Sequence, residues 1–132
     1  MIVVDTNVIA YLFLPGDRTS LAQSALRKDP DWVAPFLWRS EFRNVLALFL
    51  RREELALDDA LQLMSEAELL MSDREYSVDS DQVLKNATVS GCSSYDCEFV
   101  VLAKALNLPL VTVDKKILTA FPSITRPLSF YA

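Results

Sequence analysis

The chain has 132 residues, with 13 Lys plus Arg, 18 Asp plus Glu, no His, two Cys and two Gly, and a formal net charge of −5. That length predicts one domain over residues 1–132, and 52% apolar residues are enough for one core. Without histidine there is no Ser-His or Cys-His nucleophile, no imidazole base and no His-ligated metal. With glycine only at Gly16 and Gly91, neither a G-x-G-x-x-G turn nor a Walker phosphate loop exists. Chemistry is left to carboxylates, hydroxyls and any hard cation that carboxylates hold. Cys92 and Cys97 are too few for a disulfide framework or a zinc site, and read as reduced, small apolar residues. The acidic balance argues against a passive nucleic-acid binder with a basic face, although acids gathered around a metal would depress the pI by themselves. No apolar run approaches the roughly 20 residues of a membrane span, and the start Met1-Ile2-Val3-Val4-Asp5 lacks a basic n-region. The expectation is a cytoplasmic protein with no membrane partner.

Ile2-Val3-Val4 is short, β-branched and apolar on both faces, as a buried parallel strand is. Asp5-Thr6-Asn7 supplies N-cap chemistry for a helix patterned by Val8, Ile9, Tyr11 and Leu12, which Leu14-Pro15-Gly16-Asp17 stops. A helix is predicted over Ser20–Lys28, then a strand at Trp32–Ala34. Trp38, Phe42, Val45, Leu46 and Phe49 mark a helix over Leu37–Arg51, and Leu61, Met64, Ala67 and Leu70 one from Asp58 to about Leu70. A weak strand at Tyr76–Val78 precedes a helix from Asp79 or Ser80 to Val89. Ser93 or Ser94 opens a long apolar helix to about Asn107. Leu110–Val113 is the clearest later strand, Asp114 caps a short helix through Leu118, and Leu128–Tyr131 is read as an edge strand. Alternating β and α elements with continuously apolar strands predict an α/β three-layer domain around a parallel sheet. In such sheets sites form beyond the carboxyl ends of the strands, and Asp5 and Asp114 follow the two strongest strands.

Each acid also has an ordinary reading. Asp5 and Asp114 serve as N-caps worth about 1 kcal/mol each, and Asp96, three residues after Ser93, completes a capping box. Glu41 fits this reading less well, because it shares a helical row with Leu37, Val45 and Leu48 and adjoins Phe42. The joint reading is sharper. Two carboxylates about 4 Å apart repel by about 4 kcal/mol at an effective dielectric of 20, so a cluster calls for protons or a divalent cation. Oxygen ligands without His or Cys favour Mg²⁺ or Mn²⁺. Such a site without a phosphate loop suits metal-assisted phosphodiester hydrolysis.

Four segments in order carry a family likeness: Val3-Val4-Asp5-Thr6-Asn7, Ser40-Glu41-Phe42-Arg43-Asn44-Val45-Leu46, Ser94-Tyr95-Asp96-Cys97-Glu98 running to Ala103, and Leu108-Pro109-Leu110-Val111-Thr112-Val113-Asp114-Lys115-Lys116-Ile117-Leu118. On these the chain resembles the PIN-domain ribonucleases, and among them the VapC-type toxins of type II toxin–antitoxin modules. One departure is Cys97, where small residues such as Ala are usual. The resemblance implies a PIN-like, Rossmann-like fold with about five parallel strands flanked by helices. It implies endoribonuclease activity with Mg²⁺ or Mn²⁺ held by Asp5, Glu41, Asp96 and Asp114, with Asn7 and Thr112 orienting carboxylates or water. It also implies a cognate antitoxin protein and a homodimer. Arg39, Arg43, Arg51 and Arg52 lie on or near the Glu41 helix, and Lys115 and Lys116 follow Asp114. They are either solvated helix faces or, as a group, phosphate contacts rimming the pocket. Two other readings stay open. One is a PIN scaffold that binds or processes RNA without a toxin role. The other is a receiver-like phosphoacceptor domain, which would want an adjacent acidic pair where Asp5 stands alone.

Overall fold

A computed structural model describes all residues from Met1 to Ala132. Five parallel strands form one sheet in the order β3-β2-β1-β4-β5. They are β1 (Ile2–Val4), β2 (Trp32–Pro35), β3 (Glu75–Tyr76), β4 (Leu110–Thr112) and β5 (Thr125–Pro127). Seven helices flank the sheet: α1 (Thr6–Phe13), α2 (Thr19–Lys28), α3 (Leu37–Arg51), α4 (Leu57–Leu70), α5 (Ser80–Ser90), α6 (Ser94–Leu106) and α7 (Lys115–Ala120). Every residue of β1, β2 and β4 is buried, which is why these strands carry no polar alternation. The longest helix has 15 residues, and none is long and apolar enough to cross a membrane.

The chain first winds outward from β1 through β2 to β3, then returns to lay β4 against the other side of β1. Register pairs Val3 with Leu110 and Val4 with Val111. The direction of winding therefore reverses between β1 and β4, and their carboxyl ends open side by side there. Helix α6 packs across β1, β2 and β4, while α1 packs on α2 and α3. Trp38 and Phe42 of α3 are fully buried, with tilted ring contacts at 6.2 Å between Trp38 and Phe42 and between Phe42 and Phe13. Gly91 (φ 71°) and Asn107 (φ 54°) end α5 and α6 in the left-handed region, where glycine and asparagine are the tolerated residues. Cys92 and Cys97 are both buried and free.

The C-terminal segment corrects the sequence reading. The edge strand is Thr125–Pro127, and Leu128–Tyr131 forms a 3₁₀ turn. Leu128 and Tyr131, three residues apart, are both buried, a spacing that a 3₁₀ turn places on one face and a strand does not. Tyr131 is tied down further by its hydroxyl, which donates to Asp29 Oδ2 at 2.7 Å, and by its carbonyl, which accepts from Ser24. On α4 Ala67 is buried and Met64 and Leu70 pack against the core as predicted, while Leu61 is exposed and Ala60 is buried beside it instead. Strand β3 is Glu75–Tyr76, one residue earlier and shorter than the predicted Tyr76–Val78.

Candidate active site

Asp5 leaves β1 at the reversal point and caps α1: its Oδ1 accepts from Thr6 N at 2.8 Å. Its Oδ2 accepts from the Thr112 hydroxyl at 2.7 Å and from Asn7 Nδ2 at 3.3 Å. Thr112 ends β4, and its Oγ1 also accepts from Asp114 N at 3.0 Å, so one hydroxyl links two acids. Asp114 caps α7, with Oδ1 accepting from Lys116 N and Ile117 N at 2.8 and 3.1 Å. At the start of α6 the cap is Ser93, whose Oγ accepts from Asp96 N at 3.1 Å. The Asp96 carboxylate accepts from no backbone N–H, and the Ser93 hydroxyl is the hydrogen-bonding group beside it. Glu41 lies one turn into α3 and accepts from the Thr6 hydroxyl at 2.8 Å.

All four carboxylates line one open cleft of about 470 Å³, together with Thr6, Asn7 and Tyr95. Leu37 and Val45 line it too. In the row that makes Glu41 look misplaced, Leu37 and Val45 are therefore half-buried cleft wall, and Leu48 is exposed beyond it. Capping and convergence are not rival explanations for Asp5 and Asp114, because the helix starts they cap meet at this rim.

No salt bridge reaches any of the four acids. Burial, reinforced by the Glu41 and Asp96 charges, pushes the Asp5 carboxyl up to about 6 against the lowering pull of Thr112 and Thr6. Burial also raises Glu41, with the charges of Asp96 and Glu98 adding to it. Asp96 is raised by burial and by the neighbouring Asp114 charge. The cleft holds negative charge at a free-energy cost that a cation would relieve. One oxygen inside it is orphaned: Asn7 Oδ1 is buried without a hydrogen-bond partner.

The donors are carboxylate, amide and hydroxyl oxygens, the set that Mg²⁺ and Mn²⁺ prefer. No three His, Cys, Asp or Glu side chains stand close enough together to share one ion. That spacing suits Mg²⁺, which retains water and takes one or two carboxylates rather than a full protein cage. The residues fit such a cation.

A family description for the PIN domain matches residues 2–121. The chain belongs to the PIN-domain family. Ribonuclease VapC3 of Pyrobaculum aerophilum is 29% identical over 131 residues, spanning 96% of this PIN domain's chain and 98% of its own. Among solved structures, PAE2754 from Pyrobaculum aerophilum superposes with a TM-score of 0.77 at 18% identity, over 97% of this chain and 83% of that one. FitAcB from Neisseria gonorrhoeae superposes with a TM-score of 0.74 at 20% identity, over 98% and 99%. These two likenesses concern the fold.

The PIN domain distributes its cations unevenly. Arg39 does not line the cleft; its guanidinium is spent on Glu75 and Glu68. Arg43 is exposed and reaches Ser40 Oγ at 3.2 Å. Lys115 and Lys116 are exposed on α7, and Lys116 is close enough to draw the Asp96 carboxyl down. Sequence reasoning misses Thr6, which lies between two singled-out residues and joins the start of α1 to α3 through Glu41. Its signal was present in the Asp5-Thr6-Asn7 run, but a hydroxyl at the first helical position reads locally as capping chemistry alone.

Proposed function

We propose that this PIN domain is a Mg²⁺- or Mn²⁺-dependent endoribonuclease, acting as the toxin of a type II toxin–antitoxin module. The observation that carries the reading is the cleft itself: Asp5, Glu41, Asp96 and Asp114 converge at the reversal point with no cation paired to any of them. Its VapC3 relative is named a ribonuclease, which selects phosphodiester hydrolysis among the reactions such a site supports.

Asp5, Glu41, Asp96 and Asp114 would hold the cation, one or two of them directly and the others through the water that Mg²⁺ retains. When bound, the metal polarises the scissile phosphate and lowers the pKa of a water. Thr112, Thr6 N and Asn7 fix Asp5 in one orientation, so its position needs no reorganisation during reaction. The Thr6 hydroxyl holds Glu41 Oε1, leaving Oε2 to face the cleft contents. Asp96 or Glu41, each facing the cleft with its carboxyl raised by burial and a neighbouring charge, would orient the attacking water and accept its proton. Arg43, Lys115 and Lys116 contact phosphates flanking the cut.

An apolar groove runs from the cleft between α1 and α3, where Tyr11, Leu14 and Phe49 continue from the shared residue Val45. An antitoxin segment lying there would bring a basic side chain to the acids, and a second copy of the chain completes the assembly. The test is RNA cleavage by purified protein with Mg²⁺ or Mn²⁺ and with EDTA, beside calorimetric metal titration of Glu41→Gln. We expect cleavage only with metal, and weaker metal binding with cleavage cut by about 10² or more in the variant. Undiminished cleavage in EDTA overturns the mechanism.

A further inference from the structure

The ridge that closes one side of the acidic cleft also walls a second cavity. Leu37, Tyr95 and Asp96 line the acidic cleft, while their chain neighbours Phe36 and Ser94, with Glu98, line the other side of the ridge, from which the Glu98 charge still acts on Glu41. That second cavity, of about 500 Å³, lies where β2 and β3 end and is completed by Tyr76, Val83 and Leu84. Its size is that of a small-ligand site.

Two of its residues have no structural use. Phe36 stands between β2 and α3, 53% exposed, with no side-chain cap bond to α3. Glu98 is half-buried beside apolar groups and enters none of the protein's ion pairs or side-chain hydrogen bonds. An apolar side chain from a protein partner would cover Phe36 and bury Glu98 without a donor, which costs free energy. A flat ring bearing donors on one edge satisfies both.

We propose that this cavity is the nucleobase subsite of the same nuclease, and that the base it reads is guanine. The proposal rests on the ribonuclease reading above. In single-stranded RNA the bases splay out and stack on aromatic faces, and a strand with one phosphate at the acids lays a neighbouring base across the Phe36–Leu37 and Ser94–Asp96 ridge. A carboxylate only accepts hydrogen bonds. Guanine offers N1–H and N2–H side by side, so Glu98 takes both. Adenine and cytosine set an acceptor nitrogen beside their amine, and uracil flanks N3–H with two carbonyls. Phe36 supplies stacking that any base can use, and Glu98 supplies the choice.

The experiment is sequencing of the ends cut from a random RNA pool by the parent protein, Phe36→Ala and Glu98→Gln. The parent is expected to prefer guanine over adenine by about tenfold or more at one position beside the cut, the discrimination of one bidentate base contact. Glutamine at position 98 offers one acceptor and one donor, so Glu98→Gln is expected to move that preference to adenine and cytosine. Phe36→Ala is expected to raise KM about tenfold with the base preference unchanged. No base preference in the parent, or the same preference in Glu98→Gln, overturns the proposal. So does a variant that loses cleavage on every sequence alike, since Glu98 then belongs with the acids. An NMR titration with the ribotrinucleotides UGU and UAU separates this proposal from the ribonuclease reading. Tighter UGU binding with shifts at Phe36 and Glu98 supports the subsite even if no RNA is cut, and equal binding of both overturns it. If Phe36→Ala instead dissociates a dimer and leaves KM unchanged, the cavity is an interface between copies and the subsite falls.

Discussion

Helix α3 presents two glutamate environments on two of its flanks, and they are opposites. On one side Glu75 of β3 is 6% exposed at its side chain, accepts from Trp38 Nε1 at 2.8 Å and from Arg39 Nη2 at 2.7 Å, and is held below the usual range by that guanidinium. On the other side Glu41 has one hydroxyl donor, Thr6, and three acidic companions, and its carboxyl is raised. The same residue type is satisfied on one flank of α3 and left wanting on the other. A carboxylate with a partnered guanidinium and indole is architecture; one held among like charges is a candidate functional group.

The sharpest way to break that contrast is Asp96→Asn. With one charge removed from the unpaired side, cleavage is expected to fall about 10³-fold, while the metal-free melting temperature stays level or rises, because the repulsion falls and the cap belongs to Ser93. If Asp96 acts only through the helix start, melting drops and cleavage survives. Parallel thermal melts and single-turnover assays decide it.

Acidity sharpens the contrast next. Asp5 is raised from 3.8 to about 6 in the folded state, so between those values the native protein binds more protons than the unfolded chain. Its contribution to metal-free stability is therefore fully favourable below about pH 4 and is lost as pH rises through about 6. That loss is about 3 kcal/mol. Glu75 has the reverse sign: its stabilisation is present above its ordinary pKa and disappears as pH falls. Denaturant unfolding in EDTA is expected to show stability declining from pH 5 to 7, and added Mg²⁺ is expected to restore it at pH 7. A flat profile over that interval would place Asp5 near its ordinary value.

The smallest effect lies on the partnered side. Glu75→Gln removes the charge facing Arg39 while keeping an acceptor for Trp38, and is expected to cost about 1–2 kcal/mol, discounted because Arg39 is over a third exposed. RNA cleavage by this variant, assayed at a temperature where it is fully folded, is expected to be unchanged. A loss of cleavage there would mean that the two flanks of α3 are coupled.

How much of this was legible in sequence divides along the range of the interactions involved. The buried strands at Ile2–Val4 and Leu110–Thr112 and the long α3 and α6 announce themselves, because β-branched runs and 3.6-residue periodicity are local properties. The ends of α5 and α6 carry their stops at Gly91 and Asn107. The C-terminal turn is not legible locally, because Leu128–Tyr131 is apolar enough for a strand. Its true geometry depends on Asp29, Ser24 and Lys28, about a hundred positions away.

The site divides in the same way. Composition alone excluded imidazole and phosphate-loop chemistry, and residue order placed Asp5 and Asp114 after strands, since both facts are carried by single positions and their immediate neighbours. Only the folded sheet decided that β4 returns beside β1, and with it that Thr112 reaches Asp5 across 107 residues and Thr6 reaches Glu41 across 35. Arg39 and Arg43 read alike in sequence, four positions apart, yet one is consumed by Glu75 and Glu68 and the other stays at the surface. Pairing, burial and the raised acidity of Asp5 are properties of distances between remote segments. Those distances exist only once parallel strands have been brought into register and their helices packed over them.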